Sequence, residues 1–414
     1  MNNLIGKIRE KGIKKSIRMI SVKLKKQEKW GVKSLSDNRR ESIGQILKQK
    51  FDTIIIFENH FGYYNIMLQR PQHMTRELCD ERTLVLYNSY YDIDYKTSDR
   101  ITKIKDNCYV LDMYYYRQAI QQRLKKEDKT KILMVYSTDT VPMSLIRQYE
   151  EEGFKVLYEY VDDINPDLIS AKKLSMVMER HDYLVKNENT FVVATATRLY
   201  QNVLEKNKNA NVALISNGVE CGKFSRDVQT KDREYLSWLK EDTIKVGYYG
   251  ALASWVDYKL LEELAKDIRL QIILIGVEHD NSLQESGLLK FDNVRYFGRK
   301  PYEKLAEYAN FFDVCMIPFV VNEVTEATSP VKLFEYMALG KPVVTTALPE
   351  CKKYDMVEIA GSAEEFCNKI YEAADGKQDE DYIRQLIECA RENDWAAKAA
   401  DVKTFILGES EDER

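Results

Sequence analysis

Residues 329–344 read SPVKLFEYMALGKPVV, and the rest of the chain is organised around this stretch. Ser329-Pro330 predicts a helix start, because proline tolerates the first helical turn and serine can cap it. Leu333, Phe334, Met337 and Leu339 supply an apolar side for two to three turns. Gly340 stops the helix, and Pro342 with Val343-Val344 opens a buried strand. The free amides at the start of such a helix favour an anion, so Ser329, Val331 and Lys332 lie at an anion-binding end. Lys332 adds a cation there, and Glu335, one turn on, offers a carboxylate to hydroxyl groups. A phosphate at one end and a polyol one turn away describe a nucleotide ribose diphosphate.

Outward from this stretch, apolar runs alternate with segments of helix length. FDTIIIF (51–57), TLVLY (83–87), KILMVY (131–136), GFKVLYEY (153–160), TFVVAT (190–195) and NVALIS (211–216) precede it at a distance. IKVGYYG (244–250), LQIILIG (270–276), NVRYFG (293–298) and DVCMIPF (313–319) lie closer. Continuous apolar runs are strands buried on both faces, and their alternation with helices predicts parallel, doubly wound sheets. Ligands bind such sheets outside the carboxyl ends of the strands. The residues to inspect there are Glu58, Asn59 and His60 after the first run, Ser137–Asp139 after KILMVY, and Asp162 and Asp163 after GFKVLYEY. Gly250 ends IKVGYYG, where a missing Cβ would let a backbone approach a diphosphate. Asp257 is placed to cap the helix that follows it. No G-x-G-x-x-G is present, which counts against a dinucleotide-dependent oxidoreductase.

The fuller pattern NEVTEATSPVKLFEYMALGKPVV (322–344) resembles the donor motif of GT-B nucleotide-sugar glycosyltransferases, retaining family 4, in the branch of teichuronic acid and cell-surface polysaccharide synthesis. QRPQH (69–73) is similar to a signature of the same branch, and ENDW (392–395) to the family's closing segment. The resemblance implies an α/β GT-B fold of two Rossmann-like domains facing across a cleft, with a basic helical extension before them. It implies donor binding by Gly250, Ser329, Val331, Lys332 and Glu335, with Glu335 on the ribose. His60, Asp162 and Asp163 become candidates for the catalytic side, and Asn59, Arg70 and His73 for the acceptor side. Arg70 and His73 could equally serve to hold the first loop. Many relatives carry a second glutamate where this chain has Ala327. Read alone, Glu335 is an ordinary solvated helix glutamate, and Asp162-Asp163 a turn.

A length of 414 residues predicts two domains. The expected division is an extension over 1–48, an acceptor-side domain over 49–216, a linker over 217–240, a donor domain over 241–395, and a returning helix with an acidic tail over 396–414. The formal charge of −4 argues against nucleic acid as a partner. Seven scattered cysteines without C-x-x-C spacing fit a reducing cytoplasm, and no metal site is expected from them. Asp92-Ile93-Asp94 invites a metal reading but sits in a loop-like, tyrosine-rich context. No apolar run approaches the ~18 residues of a membrane span. Residues 1–30 carry an excess of Lys and Arg around an apolar stripe of Ile13, Ile17, Ile20 and Leu24. Such an arm could lie on an anionic membrane surface or simply extend the fold as a solvated helix.

The function expected is therefore a metal-independent, retaining transfer of a sugar from a nucleotide diphosphate sugar, with no cofactor, to a glycan or lipid-linked acceptor. It would take place in the cytoplasm, on the inner face of the plasma membrane. The alternatives are a non-catalytic sugar-nucleotide-binding scaffold, for which Ala327 speaks, a GT-B sugar-nucleotide epimerase, and an interaction protein built on the basic arm.

Overall fold

A computed structural model describes residues 35–59, 61–64, 68–164, 171–376 and 379–408. His60 and residues 1–34, with the apolar stripe of the arm, lie outside the described residues. The chain forms two compact units. The first comprises Met1–Asn65, Thr75–Tyr158 and Ile169–Phe191; the second comprises Ile66–Met74, Glu159–Leu168 and Val192–Arg414.

The first sheet has eight strands: β1 Thr53–Phe57, β2 Thr83–Asn88, β3 Ile101–Lys105, β4 Cys108–Leu111, β5 Thr130–Tyr136, β6 Lys155–Tyr160, β7 Thr190–Ala194 and β8 Asn211–Leu214. They lie in the order β3-β4-β2-β1-β5-β6-β7-β8. All five residues of β1 are buried, as a central strand with helices on both faces requires. β1 pairs in parallel with β2 on one side and β5 on the other, so the order of connection reverses there. The expected runs became strands. The β3–β4 pair was not expected, and its antiparallel register closes the edge beside β2. Before β1, the helix Asp37–Leu47 buries Ile43, Ile46 and Leu47.

The second sheet has six parallel strands: β9 Ile244–Tyr249, β10 Leu270–Ile275, β11 Val294–Tyr296, β12 Val314–Ile317, β13 Val343–Thr346 and β14 Glu358–Ala360. Their order is β11-β10-β9-β12-β13-β14, with its reversal between β9 and β12. Its core cluster runs from Val219 to Ala390. Asp257 caps the helix Tyr258–Ala265 by accepting the Leu260 amide at 2.9 Å, as its position predicted. Asp379 does the same for Glu380–Glu392. Between β11 and β12 a 3-10 turn, Tyr302–Lys304, leads into the short helix Leu305–Ala309. Among the described residues no helix is long and apolar enough to cross a membrane.

Candidate nucleotide-sugar site

The strand order reverses between β9 and β12, and open parallel sheets bind ligands outside the carboxyl ends of strands at such a reversal. β9 runs straight into Gly250, whose φ of +144° lies in the region open to glycine. A Cβ at Gly250 would sit 2.9 Å from Lys332 Cε and 3.0 Å from the Tyr248 hydroxyl. The neighbouring strand β10 ends in the same way, on Gly276 with φ +150°. There a Cβ would come within 1.7 Å of the Gly250 carbonyl oxygen. Two backbones thus meet with no side chain between them.

The helix Val331–Ala338 follows β12 and brings its first turn to this place. Its Ncap is Pro330, in extended conformation, and no side chain caps the helix. Ser329 was expected to cap, but it lies one residue too early. Its hydroxyl accepts the Asn217 amide at 3.2 Å instead, and its carbonyl accepts Asn217 Nδ2 at 2.8 Å. The first-turn amides of Val331 and Lys332 are left without intrahelical acceptors, as in any helix. Tyr336 fixes the other side of the helix to the sheet, its hydroxyl accepting the Tyr249 amide at 3.0 Å.

Lys332 lays its stem against Gly250 and holds its ammonium 4.7 Å from the Phe319 ring centroid and 5.4 Å from that of Tyr248. Aromatic faces attract a cation without neutralising it. Among the described residues Lys332 has no ion-pair partner. Burial lowers its pKa to about 8, opposed by the charge of Glu335. Part of its surface still reaches solvent.

Glu335, one turn further on, is 4% exposed. Burial pushes its carboxyl up to about 7, against the opposing pull of Tyr249, Lys332 and Tyr302. The buried Tyr249 hydroxyl is near enough to affect the carboxyl, yet it makes no well-formed hydrogen bond. The site therefore joins backbone amides, an unneutralised cation and a buried carboxylate. That combination suits a diphosphate and a pair of hydroxyls.

The other expected residues are placed differently. Asp162 is exposed, and Asp163 turns its carboxylate onto its own segment, accepting Ile164 N at 2.9 Å and the Tyr160 hydroxyl at 3.2 Å. Asn59 is buried and accepts the Phe61 amide at 2.8 Å. Arg70 is buried, with Nε 2.6 Å from Glu159 and Nη1 donating to the Ser216 carbonyl at 2.8 Å. His73, also buried, stacks on Trp395 with ring centroids 4.9 Å apart and planes 8° apart. Arg70 and His73 are thus held inside the fold by Glu159, Ser216 and Trp395. Glu58 is buried too, held by Arg117 at 2.6 Å and by the Tyr149 hydroxyl at 2.9 Å. Asp94 is not in an exposed loop but fully buried, and Asp92 pairs with Arg100. Ala327 is buried behind the short helix Glu323–Glu326, whose Glu326 is ion-paired with Arg198.

The sequence did not single out Gly276 or Tyr249. Gly276 carried a signal, since LQIILIG ends on glycine just as IKVGYYG does. Tyr249, inside the apolar run IKVGYYG, carried none.

The family described as Glycosyl transferases group 1 matches residues 244–375, the span that holds Gly250, Gly276, Lys332 and Glu335. Residues 244–375 are a glycosyl transferase group 1 domain. TuaH of Bacillus subtilis, a protein named for glycosyl transfer in teichuronic acid biosynthesis, is 30% identical over 194 residues, or 44% of this chain and 48% of its own. The chain thus spans about half the length of the curated relative it matches. Among solved structures, sucrose-phosphate synthase from Thermosynechococcus elongatus superposes with a TM-score of 0.63 at 15% identity, over 86% of this chain and 98% of that one. HepE of Anabaena, in complex with UDP, gives 0.60 at 12% identity over 87% and 100%. WaaG, a glycosyltransferase of lipopolysaccharide biosynthesis, gives 0.57 at 12% over 86% and 100%. At these identities the likeness establishes the fold, which is GT-B, with the group 1 domain as its second Rossmann-like sheet.

Proposed function

We propose that the protein is a hexosyltransferase that moves a sugar from a nucleotide diphosphate sugar to a glycan or lipid-linked acceptor in bacterial cell-surface polysaccharide synthesis. One observation carries the reading. Lys332 and Glu335 stand one turn apart on the helix Val331–Ala338, beside two strand ends stripped to glycine. In this reading the diphosphate lies on Gly250 and the first-turn amides, and Glu335 accepts the ribose hydroxyls. As the sugar departs, negative charge builds on the diphosphate, and Lys332 with the helix dipole stabilises it without needing a metal. HepE, bound to UDP and to UDP-glucose in separate structures, supports a uridine nucleotide as the first to try. TuaH supports the envelope polysaccharide context. Retention at the anomeric carbon and work at the inner membrane face, helped by residues 1–30, belong to the same proposal.

The test is thermal stabilisation by UDP-, GDP-, dTDP- and ADP-sugars, on wild type and Glu335→Ala, with and without EDTA. One nucleotide should raise the melting temperature, Glu335→Ala should abolish the rise, and EDTA should leave it intact. If none of these donors stabilises a folded protein, the transferase reading falls. A second reading, a sugar-nucleotide-binding scaffold, is favoured by one observation: Ala327 is buried, and the adjacent Glu326 is engaged with Arg198. It predicts donor binding with no transfer and no slow hydrolysis of the donor.

A further inference from the structure

The carboxyl ends of β1 and β2 carry two loops that share a surface. Buried Asp94 joins these loops, accepting the amides of Tyr63 at 2.9 Å and Tyr64 at 2.8 Å. Thr102 holds the Asp94 carbonyl in turn at 2.7 Å. The Tyr91 ring lies over Gly62, where a Cβ would be only 3.1 Å from the ring. Beneath, Tyr63 packs edge-on against Tyr64 at 5.1 Å and against Tyr87 at 5.4 Å. The outcome is a rigid mount that leaves Tyr64 43%, Tyr91 40% and Ile93 65% exposed.

We propose that this surface is a glycan-binding platform, with Tyr64 and Tyr91 stacking on the C–H faces of pyranose rings while Asp92, Arg100 and Lys96 meet their hydroxyls. Calling the bound glycan the acceptor rests on the transferase reading; the binding of sugar does not. Three features select a glycan over a lipid surface. Tyrosine gives a broad amphipathic face with little rotamer entropy to lose. The carboxylate of Asp92, 68% exposed, stands between Tyr91 and Ile93, where an anionic bilayer would repel it and a sugar hydroxyl would donate to it. The guanidinium of Arg100 is neutralised by both Asp92 and Asp112, so it offers fixed hydrogen-bond donors more than a net positive charge. Lys96, whose ammonium is 6.0 Å from the Tyr64 ring centroid, is the one cation left beside the rings without a carboxylate partner among the described residues.

The experiment uses the full chain as wild type, Tyr64→Ala/Tyr91→Ala and Tyr64→Phe/Tyr91→Phe. Each is applied to immobilised neutral and uronate-containing tetra- to hexasaccharides and to vesicles of phosphatidylethanolamine and phosphatidylglycerol, and the UDP-induced melting shift is recorded alongside. Wild type should retain at least one oligosaccharide. The alanine pair should bind it about tenfold more weakly, the scale of one or two lost aromatic contacts, and the phenylalanine pair within about twofold. All three should share one UDP shift. If wild type retains no oligosaccharide, or the alanine pair retains it equally, the platform is refuted. It is refuted equally if the alanine pair loses vesicle binding while oligosaccharide binding is unchanged. If UDP-, GDP-, dTDP- and ADP-sugars all fail to shift wild type while oligosaccharide is retained, the transferase reading falls and the platform stands.

Discussion

Glu335 and Lys332 have been moved toward each other in pKa by the same burial, and their titrations set the pH behaviour of the site. The Glu335 value is raised from 4.5 to about 7. Its contribution to folding stability is therefore fully present below pH 4.5 and lost as pH rises through about 7. Lys332 is lowered from 10.5 to about 8, so its contribution is present above 10.5 and lost as pH falls through about 8. Near neutrality most of both contributions is lost, and a diphosphate with its ribose would give each charge a partner. UDP affinity should thus rise with Glu335 ionisation near pH 7 and fall with Lys332 deprotonation near pH 8. In Glu335→Gln the acid limb should vanish. The alkaline limb should also move to lower pH, because the charge of Glu335 is what holds the Lys332 value up. Calorimetric titration of UDP between about pH 5.5 and 9.5 reads both limbs, and an unchanged acid limb in Glu335→Gln would assign it elsewhere.

The two strand-end glycines separate binding from folding at the same scale. Gly276→Ala drives a Cβ into the Gly250 carbonyl at 1.7 Å, so backbone must move. Its cost should be about 3 kcal/mol or more and appear as a lower melting temperature. Gly250→Ala meets the flexible end of Lys332, so it should cost about 1–2 kcal/mol but displace the ammonium. The UDP-induced shift should shrink in Gly250→Ala even after correction for its lower baseline. Equal losses of stability in the two variants would contradict this division.

Among elements, the central strands were legible because a strand buried on both faces is dominated by apolar residues, as Ile54–Phe57 of β1, Ile132–Tyr136 of β5 and Ile272–Ile275 of β10 are. The β3–β4 pair was illegible for the converse reason. ITKIK, on a sheet edge, buries only its first two residues and leaves the rest half-buried or exposed, and four residues of β4 are too few to stand out. The helix Val331–Ala338 was readable in place and length, yet not in its cap: no side chain caps it, and Ser329 is held instead by Asn217, more than a hundred residues away. The loop after β1 was misread most. Glu58 resembles a site residue in sequence, but Arg117, supplied by the helix Met113–Leu124, makes it a buried ion pair with both partners at most 1% exposed. Arg117→Met should accordingly leave a buried carboxylate without its cation and cost about 3–5 kcal/mol in urea denaturation. Glu58→Gln/Arg117→Met should recover part of that loss, which a catalytic role for Glu58 would not predict.

For the whole molecule, the sequence suggested a boundary near residue 216, whereas the compact units interleave. Ile66–Met74 and Glu159–Leu168 belong with the second unit. This unit nevertheless contains a part that is complete by itself. Its six strands all pair within residues 244–360, and its core cluster draws on Val219 to Ala390 alone. A fragment of residues 217–394 should therefore fold cooperatively and keep the UDP-induced shift, since Gly250, Gly276, Lys332 and Glu335 are all inside it. The fragment 35–216 should fare worse. It keeps His73 but loses Trp395, on which that ring stacks at 4.9 Å, together with the helix Trp395–Leu407. It keeps the Arg70–Glu159 pair, both side chains at most 3% exposed, but without the surroundings that the second unit provides. Circular dichroism melts should show a sharp transition for 217–394 and a broad or much lower one for 35–216. If 35–216 melts as sharply and as high as the full chain, His73, Arg70 and Trp395 are not the supports their geometry makes them. QRPQH would then have to be explained by something it binds rather than by what it holds.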